Sequence, residues 1–156
     1  MTPHHGDVTR EGELAADLPP ATDAGLRFVG RIHTPFATRA DCPHAGDRYN
    51  GPDCVVEVFP DYVPALERIE ERDHLQLLYW LHEARRDLLT QRRKGDGPVM
   101  GTFALRSPLR PNPIGVSVVR LIRREGARLV VRGLDCLDGT PLVDVKPITC
   151  GEAGAF

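Results

Sequence analysis

A chain of 156 residues, 41% hydrophobic and 27% charged, has material for one domain with a real core and too little to expect two. Its formal net charge of -2 and pI of about 6.3 exclude the broad basic field used in non-specific nucleic-acid binding, so a nucleic-acid partner needs a local patch. The longest largely apolar stretch, "LQLLYWL" (75–81), is far short of the roughly 20 residues a membrane helix needs.

The first 25 residues are polar, rich in Pro, Asp, Glu and Ala, and without periodicity, which predicts a disordered or loosely attached arm. They hold no cationic head followed by an apolar run, so they are not read as a secretory signal. The four cysteines (Cys42, Cys54, Cys136, Cys150) are then expected as reduced thiols in a cytoplasmic protein. They include no C-x-x-C pair, and Cys42 with His44 does not make a tetrahedral site, so no metal is expected.

Order is expected to begin at "LRFVGRIHTPF" (26–36), whose alternation and β-branched content predict a strand. The segment 37–53 is all punctuation, with Pro43, Gly46, Asn50-Gly51 and Pro52, and reads as a long loop of the kind that carries function. "CVVEVF" (54–59) is a second strand. In 60–73, Leu66 and Ile69 among charged neighbours predict a short helix. "HLQLLYWLHEA" (74–84) reads as a buried strand that ends on His82 and Glu83, 85–97 as a basic loop, and "VMGTFAL" (99–105) as a further strand.

The stretch "RSPLRPNPIG" (106–115) follows. Each proline fixes its own φ and pushes its predecessor towards extended geometry, so Ser107, Arg110 and Asn112 sit on backbone set before anything binds. A stiff connection and a preorganised ligand loop are both open at this point. "VSVVRLI" (116–122) and "RLVVRGL" (128–134) flank "RREGA" as a hairpin with Glu125-Gly126 at its turn. The end, "GLDCLDGTPLVDVKP" (133–147), combines a turn at Asp138-Gly139 with an alternating strand. Six or seven strands without strict β-α alternation predict a mainly β, single-sheeted mixed β-barrel with one or two short helices. "GDGPVMG" (95–101) precedes a strand and opens no helix, so the fold is non-Rossmann.

Two polar clusters stand out: Arg106, Arg110 and Asn112 in the stiff loop, and Asp135, Asp138, Asp144 and Lys146 at the end. Arginine in a fixed frame offers directed donors to carboxylate or phosphate. Asp138 reads equally as a turn residue. Asp144 and Lys146, two apart on a strand, read equally as an ion pair. The residues alone give no reaction.

"GRIHTPF" (30–36), "HLQLLYWLHEA", "GTFALRSPLRPNPIGVSVVRL" (101–121) and "GLDCLDGTPLVDVKP" together resemble the TsaA/TrmO family, in its motif order and over about 26–148. The resemblance implies a barrel domain at 26–150 with a short tail at 151–156, a homodimer, a non-Rossmann S-adenosylmethionine site and methyl transfer to N6 of threonylcarbamoyladenosine 37 in tRNA. It implies cofactor contacts at Ala45, Gly46, Asp47, His82, Glu83, Ala84, Arg106, Val116, Arg132, Gly133, Leu134 and Asp135. On that basis Asp138 or Asp144 is expected to take the N6 proton, Lys146 to hold a substrate anion, and Arg110 and Asn112 to bind substrate. An arginine patch (85, 86, 92, 93, 106, 110, 120, 123, 124 and 132, with Lys94) is read either as a tRNA surface or as a scattered, solvated distribution.

Overall fold

The computed structural model describes residues 8–93 and 96–148. Lys94, Cys150 and the tail from 151 lie outside the described residues. The chain divides into two compact units, one from the described residues within Met1–Gly25 and Leu81–Ile114, the other from those within Leu26–Trp80 and Gly115–Phe156.

The second unit is a closed six-strand barrel in the order β1-β2-β7-β6-β3-β8. Its strands are β1 (Gly30–His33), β2 (Cys54–Val58), β3 (His74–Trp80), β6 (Ile114–Glu125), β7 (Arg128–Arg132) and β8 (Thr140–Pro147). The pairs β1–β2, β1–β8, β2–β7, β3–β8 and β6–β7 all run antiparallel. Strict alternation builds it: Cys54, Val56 and Val58 of β2 and Leu75, Leu77 and Tyr79 of β3 point inward, with half-buried residues between them. Ile32, Leu129, Val131 and Leu142 complete a core whose members are fully buried, each contributing about 1.5–3 kcal/mol. Closure leaves no unpaired barrel edge. The hairpin turns at Gly126-Ala127, since Glu125 already pairs with Arg128.

The helix expected over 60–73 is instead two 3-10 turns, Pro60–Leu66 and Ile69–Glu71. Pro64 lies inside the first and has no N–H to give, and Arg68 at φ 63 breaks the chain between them. None of the described residues is α-helical, and no helix is long and apolar enough to cross a membrane.

In the first unit the stretch read as a basic loop supplies β4 (Thr90–Arg92), paired with β5 (Val99–Gly101). Its cations serve the fold: Arg85 pairs with Asp87, and Arg92 donates to the carbonyls of Glu11 and Gly97. Composition alone cannot reveal such internal partners. Part of the expected arm is tied to this unit, with Ala15 bridging Leu88 and Ala16 N–H donating to Asp87 O. The strand expected over 99–105 stops at Gly101 and continues as a 3-10 turn, Thr102–Ala104. Buried Gln91 holds that turn and the proline stretch together, donating to Thr102 Oγ1 (2.9 Å) and Leu109 O (2.6 Å).

The three described cysteines are unpaired. Burial pushes the Cys54 thiol from 9.0 up to about 11 and Cys136 up to about 12; burial, then the charge of Asp135, also raises Cys42. A raised folded pKa stabilises the fold at neutral pH, and that contribution is lost as pH climbs from 9 towards 12. Alkylation at pH 8 followed by peptide mapping is expected to label half-buried Cys42 first and to spare Cys54 and Cys136 until unfolding. Equal rates at all three would contradict this packing.

Candidate functional site

β7 ends at Arg132, and the chain leaves the barrel through Gly133, whose φ of +114 suits no residue with a side chain. Arg132 Nε donates to Asp53 Oδ1 at 2.6 Å, fixing the end of the long loop 37–53 to this strand end. Within that loop Asp47 Oδ1 accepts from the N–H groups of Asn50 and Tyr49, both at 2.9 Å. Those two bonds hold its carboxyl below the usual range and close a tight turn. The turn lays Gly46 on the barrel exit: a Cβ there would stand 1.8 Å from Gly133 O. Gly46 therefore meets Gly133 and Leu134 backbone to backbone. Leu134 is itself buried, so backbone is what it can offer a ligand.

Asp135 follows, its Oδ1 accepting from Tyr79 Oη at 3.0 Å. Tyr79 Oη also lies 2.7 Å from Ser117 Oγ. The charge of Asp135 reaches Cys42 in the same long loop. Val116, exposed on β6, stands between Gly115, which faces the Tyr79 ring, and Ser117. The second unit thus brings together the expected residues Ala45, Gly46, Asp47, Arg132, Gly133, Leu134 and Asp135 around one loop–strand junction.

His82, Glu83, Ala84, Arg106, Arg110 and Asn112 belong to the first unit. His82 and Glu83 lie beyond β3, which stops at Trp80, in a turn closed by Ala84 N–H to Leu81 O. The proline stretch is braced along its length: Leu109 N–H donates to Ser107 Oγ, and Arg86 donates to Pro111 O and Asn112 Oδ1. Arg110 Nη2 donates to the carbonyls of Thr102 (3.0 Å) and Leu105 (2.8 Å), and so braces the loop's shape. Exposed Arg106 makes no such bond among the described residues, which leaves its donors open to a ligand.

The three residues expected to act on substrate occupy two environments. Exposed Asp138 accepts from Thr34 N–H at 3.1 Å and lies 3.6 Å from His33 Nδ1, whose other nitrogen is 2.8 Å from Glu57 Oε2. Asp144 pairs with Lys146 at 2.8 Å, which raises the lysine above its ordinary pKa. Both line a cavity of about 430 Å³ beneath the 3-10 segment, with Leu66, Arg72 and Leu142 among its other walls. In the weighed patch, Arg85, Arg123, Arg124 and Arg132 sit on Asp87, Glu125, Glu70 and Asp53, so much of its charge is balanced locally. No group of three or more His, Cys, Asp or Glu stands ready for a metal ion among the described residues.

Sequence reasoning passed over Tyr79, Ser117 and Glu57, and left His33 open between a structural and a chemical role. The one available signal was parity: Tyr79 continues the inward series Leu75, Leu77, so its hydroxyl had to find a partner at the barrel end.

The family profile of the tRNA-methyltransferase O N-terminal domain matches residues 31–150. Among similar proteins, the "Probable S-adenosyl-L-methionine-binding protein VirR" of Rhizobium radiobacter is 48% identical over 143 residues, 92% of this chain and 81% of that one. An S-adenosyl-L-methionine-binding protein of Archaeoglobus fulgidus is 40% identical over 121 residues, 78% of this chain and 86% of that one. The crystal structure of TrmO from Pseudomonas aeruginosa superposes with a TM-score of 0.69 at 33% identity, covering 86% of this chain. The chain spans 60% of that TrmO chain's length.

Proposed function

Because the chain belongs to the tRNA-methyltransferase O N-terminal domain family, we propose that it is an S-adenosylmethionine-dependent methyltransferase acting on N6 of threonylcarbamoyladenosine 37 in tRNA. The observation that carries the reading is the junction of Gly46 with Gly133–Leu134, followed directly in the chain by Asp135, whose carboxylate Tyr79 holds. Its chemistry fits the cofactor: a carboxylate suits the ammonium, the sulfonium or the ribose diol, and exposed loop backbone suits the adenine edge. Within the barrel unit, Ala45–Asp47, Val116 and Arg132–Asp135 would hold it.

Bound there, S-adenosylmethionine supplies an electrophilic methyl on a sulfonium. The chain's own contribution is alignment and proton management. Well-oriented reactants gain about 7–11 kcal/mol of barrier, which suits a urea-like nitrogen that is a poor nucleophile while it keeps its proton. Asp138 or Asp144 takes that proton, and Lys146 holds a substrate carboxylate or phosphate. Of the two, Asp138 lies 3.6 Å from the His33 imidazole, whose other nitrogen is hydrogen-bonded to Glu57. Asparagine at the acting position is expected to lower kcat by roughly 10²–10⁴-fold with cofactor affinity kept. Full turnover in both Asp138→Asn and Asp144→Asn would remove the assignment. A cytoplasmic homodimer completes the proposal.

The test is incubation with labelled S-adenosylmethionine and total tRNA lacking this methyl, followed by nucleoside mass spectrometry. Methylated threonylcarbamoyladenosine is the expected product. Cofactor uptake with no label in tRNA would favour a second reading, a cofactor-binding protein without turnover, in line with the names of the two relatives and the locally balanced arginines. Salt-steep tRNA binding would favour the first.

A further inference from the structure

We propose that Tyr79 is the positioning residue for Asp135, its buried hydroxyl holding one carboxylate oxygen so that Asp135 meets the cofactor in a single orientation. The proposal rests on the reading of Asp135 as a cofactor contact.

Three observations carry it. Tyr79 is 3% exposed at the inward end of β3, so its ring is fixed by the core and cannot follow a mobile partner. Its hydroxyl has two neighbours, Ser117 Oγ at 2.7 Å and Asp135 Oδ1 at 3.0 Å. A carboxylate only accepts, so the phenolic proton points to Asp135 and Ser117 donates to Tyr79 Oη, which gives the relay Ser117, Tyr79, Asp135 one direction. Finally, β6 makes room for the ring: a Cβ on Gly115 would stand 2.1 Å from Tyr79 Cε2, so the chain leaves the side chain out where the tyrosine needs the space.

Burial, then the nearby charge of Asp135, pushes the Tyr79 hydroxyl far above its ordinary pKa. It therefore keeps its proton and stays a donor at neutral pH. A donated bond to a charged acceptor in a dry setting is among the stronger single hydrogen bonds, and it fixes where Asp135 Oδ1 lies.

The experiment is a double-mutant cycle on the full chain, read by calorimetric titration of S-adenosylmethionine with folding checked by thermal melting. Asp135→Asn is expected to weaken binding by more than about 10-fold and Tyr79→Phe by roughly 5–10-fold, the pair being no weaker than Asp135→Asn alone. Ser117→Ala, which empties the far end of the relay, is expected to weaken binding in the same direction by less. It serves in place of Tyr79→Phe if that variant does not fold. Weakening by Asp135→Asn with no effect of Tyr79→Phe overturns the positioning role and leaves the cofactor contact standing. Losses that multiply in the double variant also overturn it, because Tyr79 would then act independently of Asp135. An unaffected Asp135→Asn removes the cofactor contact itself, and the proposal with it.

Discussion

Gly46→Ala is expected to weaken S-adenosylmethionine binding by roughly 10–100-fold while the barrel keeps its melting temperature to within a few degrees. The added Cβ would stand 1.8 Å from Gly133 O and 2.3 Å from Gly133 C, and backbone cannot rotate away as the end of a flexible side chain can. Either the turn built by Asp47 lifts off the barrel exit, or β7's end is pushed inward against Leu134. The first is cheaper, because Ala45–Asp47 are exposed and Leu134 is packed in the core. Overpacking costs about 1–3 kcal/mol, and each 1.4 kcal/mol is tenfold in affinity, hence the expected range. Calorimetry beside a thermal melt checks it. Unchanged affinity would mean that this junction does not shape the cofactor site.

Gly115→Ala carries the largest expected loss of stability. Its Cβ would fall 2.1, 2.6 and 2.7 Å from three ring carbons of Tyr79, and the ring has nowhere to go: it is 3% exposed and anchored by its hydroxyl to Ser117 and Asp135. A cost of about 2–3 kcal/mol corresponds to a fall in melting temperature of roughly 5–10 °C for a domain of this size. Cofactor affinity should fall with it, since moving the ring moves Asp135. A Tyr79→Leu background should absorb part of the penalty, so the double variant loses less than the sum of the single losses. Strict additivity would show that the clash is relieved elsewhere.

The barrel was legible because its strands announce themselves twice. Alternation in "CVVEV" and "HLQLLYW" gives the strand and also the inward face, and both survive in the burial of Val56, Leu75 and Leu77. The segment 60–73 misled because Leu66 and Ile69 have helical spacing whatever the backbone does. Pro64 was the residue to weigh, and it outranked the periodicity. β4 was hidden by charge: Arg92 is a strand residue whose guanidinium ends on backbone carbonyls.

The candidate site residues were reached by a different route. Motif resemblance supplied Gly46, Gly133 and Asp135 without saying why they belong together. Their relation is a close backbone approach and a buried hydrogen bond, and neither leaves a pattern in one chain. Arg110 shows the converse. Sequence marks it as a ligand arginine, and one of its guanidinium nitrogens, Nη2, also ties the carbonyls of Thr102 and Leu105 together. Asp144 and Lys146 were equally readable as an ion pair, and they form one, on the wall of a cavity that periodicity could not disclose.

Titration of S-adenosylmethionine into the full chain, in parallel with the Gly46→Ala variant, bears most directly on the claim that the loop turn at Asp47 and the strand exit at Gly133 build one cofactor pocket. Saturable uptake, one molecule per chain, competed by S-adenosylhomocysteine and largely lost in the variant, is the predicted result. Absence of saturable heat in the unaltered protein, or equal affinity in the two, would contradict it.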